Sequence, residues 1–319
     1  MTGRPGAPEI SVIIPTFNRR PILLRCLAAL TEQTIDSARF EVIVVDDGSS
    51  DGTAGAVESF AGDAPISITV LTQPNSGANT ARNRAVEQAR GNLALILNDD
   101  SIATPALIAE HLRLHAAHPG QGDAVLGRLN LCLDPPPGLF ERLHHDDRLD
   151  ALAEGTDLGW QAFYTFNLSA KTALLRRHGG FDADLRWHED IEFGWRLRAD
   201  GLQVLWAPGA LAYHLHPMQE AAWLGIASRE GKALATWLTR RPDMRGELVA
   251  LGLHSRRLGT RAARHAVADA AINGWTEPAW LALARLLART APDVAAMAYR
   301  KIFQARKRRA IDAALSSGP

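Results

Sequence analysis

Cysteine is scarce: only Cys26 and Cys132 occur in 319 residues. Neither falls in a C-x-x-C or Cys-to-His spacing, so the chain has no disulfide framework and no zinc knuckle. The two are read as apolar fillers in a reducing compartment. Long hydrophobic runs are missing as well, and no stretch approaches the about 18 uninterrupted apolar residues of a membrane-spanning helix. The opening MTGRPGAPE has no apolar signal region, so residues 1–9 are expected to form a disordered lead-in to a cytoplasmic protein. Internal repeats and low-complexity tracts are absent, and no early glycine-rich loop carries a Lys or Arg for phosphate. Net charge is zero too, but that balance hides an asymmetry. Residues 1–216 hold 18 Lys and Arg against 27 Asp and Glu, while 217–319 hold 17 against 8. An acidic body of −9 and a basic tail of +9 suggest two jobs.

What is present is enough for a core, with 46% hydrophobic and 22% charged residues. Short apolar runs at 10–14, 40–45, 66–71, 93–97 and 124–131 alternate with helical patterns at 19–33, 53–60, 78–90 and 105–118. Strands buried on both faces, alternating with helices, read as a mostly parallel, doubly wound sheet. The segment 134–159, with its DPPPG, reads as a long loop. Structure resumes with a strand over 163–170, a helix to about 178, a helix over 189–201 stopped by Gly201, and a strand over 202–207. From Met218 onward the chain is Ala-, Leu- and Arg-rich with helical spacing.

The strand ends carry the chemistry. LALILNDDSIATP (93–105) runs a buried strand directly into Asn98, Asp99 and Asp100. Adjacent carboxylates repel, so either they stand in a solvated turn or a cation neutralises them. PTFNR (15–19), DDGSSDGT (46–53) and PGALAYHLHP (208–217) follow other strands. In doubly wound sheets ligands sit outside the carboxyl ends of the strands, and polar groups at four such ends favour a binding site over a plain turn.

The motifs SVIIPTFNR (11–19), VIVVDDGSSDGT (42–53), NSGANTARNRAVEQARGNLALILNDD (75–100) and GGFDADLRWHEDIEFGWRLRADG (179–201) together resemble the family 2 glycosyltransferases of the GT-A fold. The last also resembles the segment shared with β-1,4-galactosyltransferase-like enzymes. The resemblance spans residues 10 to about 217. It implies a Rossmann-like, mostly parallel mixed sheet flanked by helices, followed by an α-helical C-terminal region. The catalytic domain would cover 10–217, with a nucleotide-binding half at about 10–131 and an acceptor half at about 132–217. Residues 218–319 would form the helical basic region.

The resemblance also implies roles. A divalent ion, Mn²⁺ or Mg²⁺, would bridge carboxylate and diphosphate at the leaving group. Asn98, Asp99 and Asp100 stand where the family places its D-x-D motif. Asp100 is the expected metal ligand, while Asn98 and Asp99 would contact the ribose or the sugar. His214 or His216 would complete the metal shell, and PGALAYH makes His214 the better match; imidazole favours Mn²⁺. Asp46 and Asp47 are expected at the base edge, with Pro15 and Thr16 lining the same pocket. Arg82 would pair with that Asp or with the diphosphate. Asp190 is the expected catalytic base of an inverting transfer, with Glu189 as runner-up or acceptor ligand. Trp187, His188 and Asn167 are expected on the acceptor side, and HHDD (144–147) as solvated loop.

The donor implied is a nucleotide-diphosphate sugar, with UDP favoured, and the acceptor a hydroxyl of a glycan, glycolipid or polysaccharide precursor of the cell-envelope kind. The basic helix 299–315 sets Ile302, Phe303 and Ile311 among Arg and Lys, as on a helix lying at the inner face of an anionic membrane. The alternative for it is a packed helical subdomain; nucleic acid is not expected as a partner. Two other readings compete for the whole chain: a degenerate member that binds without catalysis, suggested by Asn98, and a sugar nucleotidyltransferase, for which the phosphate loop is missing.

Overall fold

The computed structural model describes residues 6–132, 134, 136–145, 148–215, 217–244, 246–247 and 270–316. His216, Asp146, Asp147 and residues 1–5 of the lead-in lie outside them. Residues 8 and 9 are not a loose lead-in: Pro8 is buried and the Glu9 N–H donates to the Arg39 carbonyl. The chain divides into two compact units. The first comprises residues up to 136 together with 146–184 and 189–216; the second comprises 137–145, 185–188 and 217–319.

The first unit is an eight-stranded mixed sheet. Its elements are β1 (Ile10–Thr16), α1 (Arg20–Thr31), β2 (Phe40–Asp46), α2 (Thr53–Asp63), β3 (Ser67–Thr72), α3 (Ala78–Gln88), β4 (Leu93–Leu97), β5 (Ser101–Ala103), α4 (Leu107–Ala117) and β6 (Asp123–Leu131). The short helix α5 (Leu139–His144) belongs to the second unit. The first unit then continues with β7 (Asn167–Lys171), α6 (Thr172–Leu175), α7 (Glu189–Leu197) and β8 (Gln203–His214). The strand order is β3-β2-β1-β4-β7-β6-β8-β5. β3, β2, β1 and β4 run parallel, as do β6 and β8, whereas β7 is antiparallel to both its neighbours and β5 to β8.

Alternation along the central strands builds two cores, one on each face of the sheet. Ile13, Ile43, Val45, Ala94 and Ile96 pack with Ala81 and Ala85 of α3. Val12, Ile14, Val42, Val44, Leu95 and Leu97 pack on the opposite face with Leu23 and Leu27 of α1 and Ile108 of α4. Because both sides are covered by helices, the strands read as nearly continuous apolar runs.

Three expectations needed correction. The strand after 202 does not end at Ala207; it passes Pro208-Gly209 through an irregularity in its pairing with β6 and continues to His214. Asn167 does not line a cleft. It is 0% exposed, and its Nδ2 donates to the carbonyls of Ala210 at 2.8 Å and Arg128 at 3.1 Å, tying β7 to the irregular stretch. The stretch 134–159 is not one structureless loop, since it contains α5 and a turn of 3₁₀ helix at Arg148–Ala151.

The second unit is helical: α5, α8 (Glu220–Arg240), α9 (Glu277–Thr290) and α10 (Pro292–Ser316). Trp223 stands at its centre, with the Phe303 ring centroid 4.6 Å away and Tyr299 edge-on at 6.4 Å. Ile302 is 0% and Ile311 6% exposed, so the apolar face expected to meet a membrane is consumed inside this unit. The partly buried Glu230 carboxylate accepts from His188 at 3.2 Å and Lys307 at 2.5 Å. No described helix is long and apolar enough to cross a membrane.

A buried polar chain joins α4 to β7. His111 Nε2 donates to Asn167 Oδ1 (2.9 Å), Ser169 Oγ donates to His111 Nδ1 (2.8 Å), His115 Nε2 donates to Ser169 Oγ (2.9 Å), and Lys171 Nζ donates to His115 Nδ1 (3.4 Å). Burial pushes His111 down to about 4, against its hydrogen bond to Asn167, and pushes His115 to about 3 with the help of the Lys171 charge. Depressed histidines contribute stability that is present above pH 6.5 and is lost as pH falls toward 4, because the unfolded chain takes up the protons first. Each should cost roughly 2 kcal/mol at pH 5 relative to pH 7. Urea unfolding of wild type and of the double variant His111→Gln/His115→Gln at both pH values tests this. The variant should lose most of the pH dependence between 7 and 5, and an undiminished dependence contradicts the assignment.

Candidate active site

The carboxyl ends of β1, β2, β4 and β8 converge, and each contributes a polar group. Thr16, the last residue of β1, is the pivot. Its hydroxyl donates to Asp99 Oδ2 at 2.8 Å, and its carbonyl accepts from the Asp47 N–H at 2.9 Å. Asp99 and Asp100, 5% and 3% exposed, follow β4 directly. Immediately afterwards the chain forms β5, whose Ser101 pairs with His214 at the far end of β8, and the Leu215 N–H donates to the Asp100 carbonyl at 2.8 Å. This three-residue strand brings the His214 imidazole to Asp100, with Nε2 3.3 Å from Oδ2.

The adjacent carboxylates are neutralised by Arg19. Its guanidinium reaches Asp99 Oδ1 at 3.1 Å and Asp100 Oδ2 at 2.7 Å. Burial raises both carboxyls, with different outcomes. At Asp100 burial is outweighed by His214 and Arg19, and the carboxyl is held down at about 2. At Asp99 burial prevails over Arg19, aided by the Asp100 charge, and pushes the carboxyl up to about 6. No cluster of three or more His, Cys, Asp or Glu side chains placed to hold a metal occurs among the described residues.

The Asp46-Asp47 pair divides its work. Asp47 accepts from Gln73 Nε2 and the Ser76 N–H on Oδ1 and from the Gly77 N–H on Oδ2, all at 2.8 Å, so its carboxylate organises the loop that opens α3. The Asp46 carboxylate accepts from the Ser49 N–H at 3.0 Å, and its backbone carbonyl accepts from the Gln73 N–H at 3.0 Å. Asn18, in the left-handed region at φ 52°, closes the β1 end by accepting from the Ser50 N–H at 2.8 Å. Pro15 lies within β1, and the neighbouring Phe17 is 44% exposed.

α3 links this loop to the start of α7. Asn83 Nδ2 donates to the Phe181 carbonyl at 2.8 Å and Asn83 Oδ1 accepts from the Phe181 N–H at 2.8 Å, while Asn79 Nδ2 donates to the Asp182 carbonyl at 2.8 Å. Arg82 does not reach Asp46 or Asp47. It is 8% exposed and donates to Glu189 Oε1 at 2.7 Å and Asn79 Oδ1 at 2.8 Å, tying α3 to the start of α7. Asp190, next in α7, accepts from the Thr165 N–H at 3.3 Å, and the following Phe166 carbonyl accepts from the Asn98 N–H at 3.4 Å. The start of α7 is thereby tied to the end of β4.

Trp187 and His188 are packed in the second unit. The Arg229 guanidinium lies over the Trp187 ring at 5.5 Å, and His188 is hydrogen-bonded to Glu230. Arg19, Gln73, Asn79 and Asn83 escaped the sequence reading. Arg19, Asn79 and Asn83 stood within the PTFNR and NSGANTARNR stretches without an assigned role, whereas Gln73 left no signal.

Residues 11–130 match the family model for glycosyl transferase family 2. The chain carries a family 2 glycosyltransferase domain. Its sequence is 34% identical over 233 residues to a validoxylamine A glucosyltransferase of Streptomyces hygroscopicus, covering 63% of this chain and 54% of that one. It is 29% identical over 267 residues to a pre-mycofactocin glycosyltransferase of Mycobacterium tuberculosis, covering 78% and 51%. The chain thus spans about half the length of these relatives. In fold, the family 2 domain and its helical extension resemble a mannosyltransferase of Pyrobaculum calidifontis solved with GDP-Man and Mn²⁺, at a TM-score of 0.65 and 24% identity over 98% of this chain and 88% of that one. TarS of S. aureus, solved with UDP-GlcNAc, aligns at a TM-score of 0.57 and 18% identity over 96% and 91%. These two likenesses establish the GT-A-like fold.

Gly48 tests how tightly the family 2 domain holds its second strand end. Its φ is +83°, and a Cβ there would stand 2.9 Å from the Asn75 backbone nitrogen. Gly48→Ala should lower stability by roughly 1–3 kcal/mol. The urea midpoint of the variant measures this, and an unchanged midpoint contradicts the packing described.

Proposed function

We propose that the chain transfers a sugar from a nucleotide-diphosphate sugar to a hydroxyl acceptor with inversion at the anomeric carbon. The convergence of Asp99, Asp100, His214 and Arg19 at the strand ends carries this reading. The donor set at Asp100 and His214 fits a divalent ion, since a carboxylate oxygen and an imidazole nitrogen stand 3.3 Å apart, near enough to share one. When bound, such an ion would supply positive charge to the departing diphosphate. The relative solved with Mn²⁺ supports the choice.

Base recognition falls to Asp46 rather than Asp47, because the described hydrogen bonds of the Asp47 carboxylate serve the 73–77 loop. The exposed Phe17 ring, one residue after Thr16, supplies a flat apolar surface beside it. Asn98 and Asp99 face the ribose or the sugar in this reading. UDP is favoured as the nucleotide; both UDP and GDP sugars occur in the fold relatives.

Asp190 is the base. Glu189, the alternative, is held by Arg82, so its Oε1 is already committed to a guanidinium. As the acceptor oxygen bonds to the anomeric carbon, its proton passes to Asp190, and the bond from that carbon to the diphosphate oxygen breaks with its electron pair. The product is a glycoside with nucleoside diphosphate released.

Replacing Asp190 by Asn tests the assignment against that of a binding protein without catalysis. Turnover should fall by about a hundredfold to ten-thousandfold while donor affinity stays within about threefold. Equal turnover in the variant removes Asp190 from the role, and Glu189→Gln is then the variant to assay.

A further inference from the structure

Arg19 stands out as a residue the transfer reaction itself leaves unassigned. Its guanidinium contacts both carboxylates of the Asp99-Asp100 pair, and its NH2 lies 2.7 Å from Asp100 Oδ2, the oxygen that also faces His214 Nε2 at 3.3 Å. Three features make this more than a surface ion pair. The carboxylates are nearly inaccessible, with side-chain exposures of 7% and 4%. The guanidinium spans two residues with separate nitrogens, a geometry that a planar fork can supply and an ammonium cannot. The pair also sits at the pivot of the site, because Asp99 is hydrogen-bonded to Thr16 at the end of β1.

We propose that Arg19 is a resident counter-ion for the Asp99-Asp100 pair, and that a divalent cation binds Asp100 and His214 only by displacing it. The inference rests on the metal site of the preceding reading. Its physical basis is competition for one oxygen. Two buried anions side by side require a positive charge whether or not a metal is present. Arg19 supplies that charge and keeps the strand ends assembled. A metal ion approaching Asp100 Oδ2 meets an occupied ligand and like-charge repulsion, so part of its binding energy is spent on breaking the Arg19 contact. Arg19 therefore stabilises the metal-free protein and weakens metal binding, two effects with one cause.

The experiment uses the full chain, freed of metal with chelator, as wild type, Arg19→Gln and Asp100→Asn. Thermal midpoints without metal and calorimetric titrations with MnCl₂ alone are measured for each. Arg19→Gln should melt lower than wild type without metal, yet bind Mn²⁺ about tenfold tighter and gain more in midpoint from it. A purely structural Arg19 would lower the midpoint without tightening Mn²⁺, and that result overturns the proposal. Asp100→Asn separates this failure from failure of the metal site itself. If it binds Mn²⁺ as wild type does, the site is wrong and the proposal falls with it. If it loses Mn²⁺ while Arg19→Gln binds no tighter than wild type, the metal site stands and only the counter-ion role is rejected. Should Arg19→Gln fail to fold, Arg19→Lys replaces it: one ammonium cannot span both carboxylates, so Mn²⁺ should still bind tighter, by a smaller factor, and affinity equal to or below wild type overturns the proposal.

Discussion

Burying two adjacent carboxylates at the end of a strand is the constraint around which the first unit is arranged. Each loses hydration, and each raises the cost of ionising the other. The protein answers with Arg19 from the segment after β1, the Thr16 hydroxyl from β1 itself, and His214 from the end of β8. Those groups are far apart in sequence and meet only because β1 neighbours β4 and because β5 folds back onto β8. A mixed sheet with this strand order is therefore the means by which the charges are compensated as well as the scaffold that presents them.

The same economy appears on the other side of the sheet. α3 is anchored at its start by Asp47 and, along its length, holds the segment leading to α7 through Asn79, Asn83 and Arg82. One helix thus sets both the second strand end and the carboxylates at the start of α7. It also differentiates Glu189 from Asp190, since the first faces Arg82 and the second faces the Thr165 amide. Identical acidic chemistry at neighbouring positions thus meets different surroundings, a guanidinium for one and a backbone amide for the other.

The central strands were legible in sequence because helices cover both faces, which forces continuous apolar runs in β1, β2 and β4. The edges were not. β5 is three residues long, below any periodic signal, and the continuation of β8 was masked by Pro208-Gly209, which reads as a stop. Strand-end acids were identifiable by type, yet their partners were not, because long-range pairs such as Arg19 with Asp100 or Arg82 with Glu189 leave no local pattern. Asn167 was misread because a polar residue near a motif looks functional until its buried partners are known. For the basic tail both a membrane face and a packed subdomain stood open, since amphipathic spacing does not say whether an apolar face meets lipid or, as with Ile302 and Phe303, the rest of a helical unit.

The central claim is that the acidic strand ends hold a nucleoside diphosphate together with a divalent ion. It is tested most directly by thermal shift with UDP, GDP, dTDP and CMP, each with and without Mn²⁺. The account predicts that one nucleoside diphosphate raises the midpoint, that Mn²⁺ enlarges the rise, and that CMP gives none. A folded protein that shifts with no nucleotide, or equally with and without Mn²⁺, would contradict it.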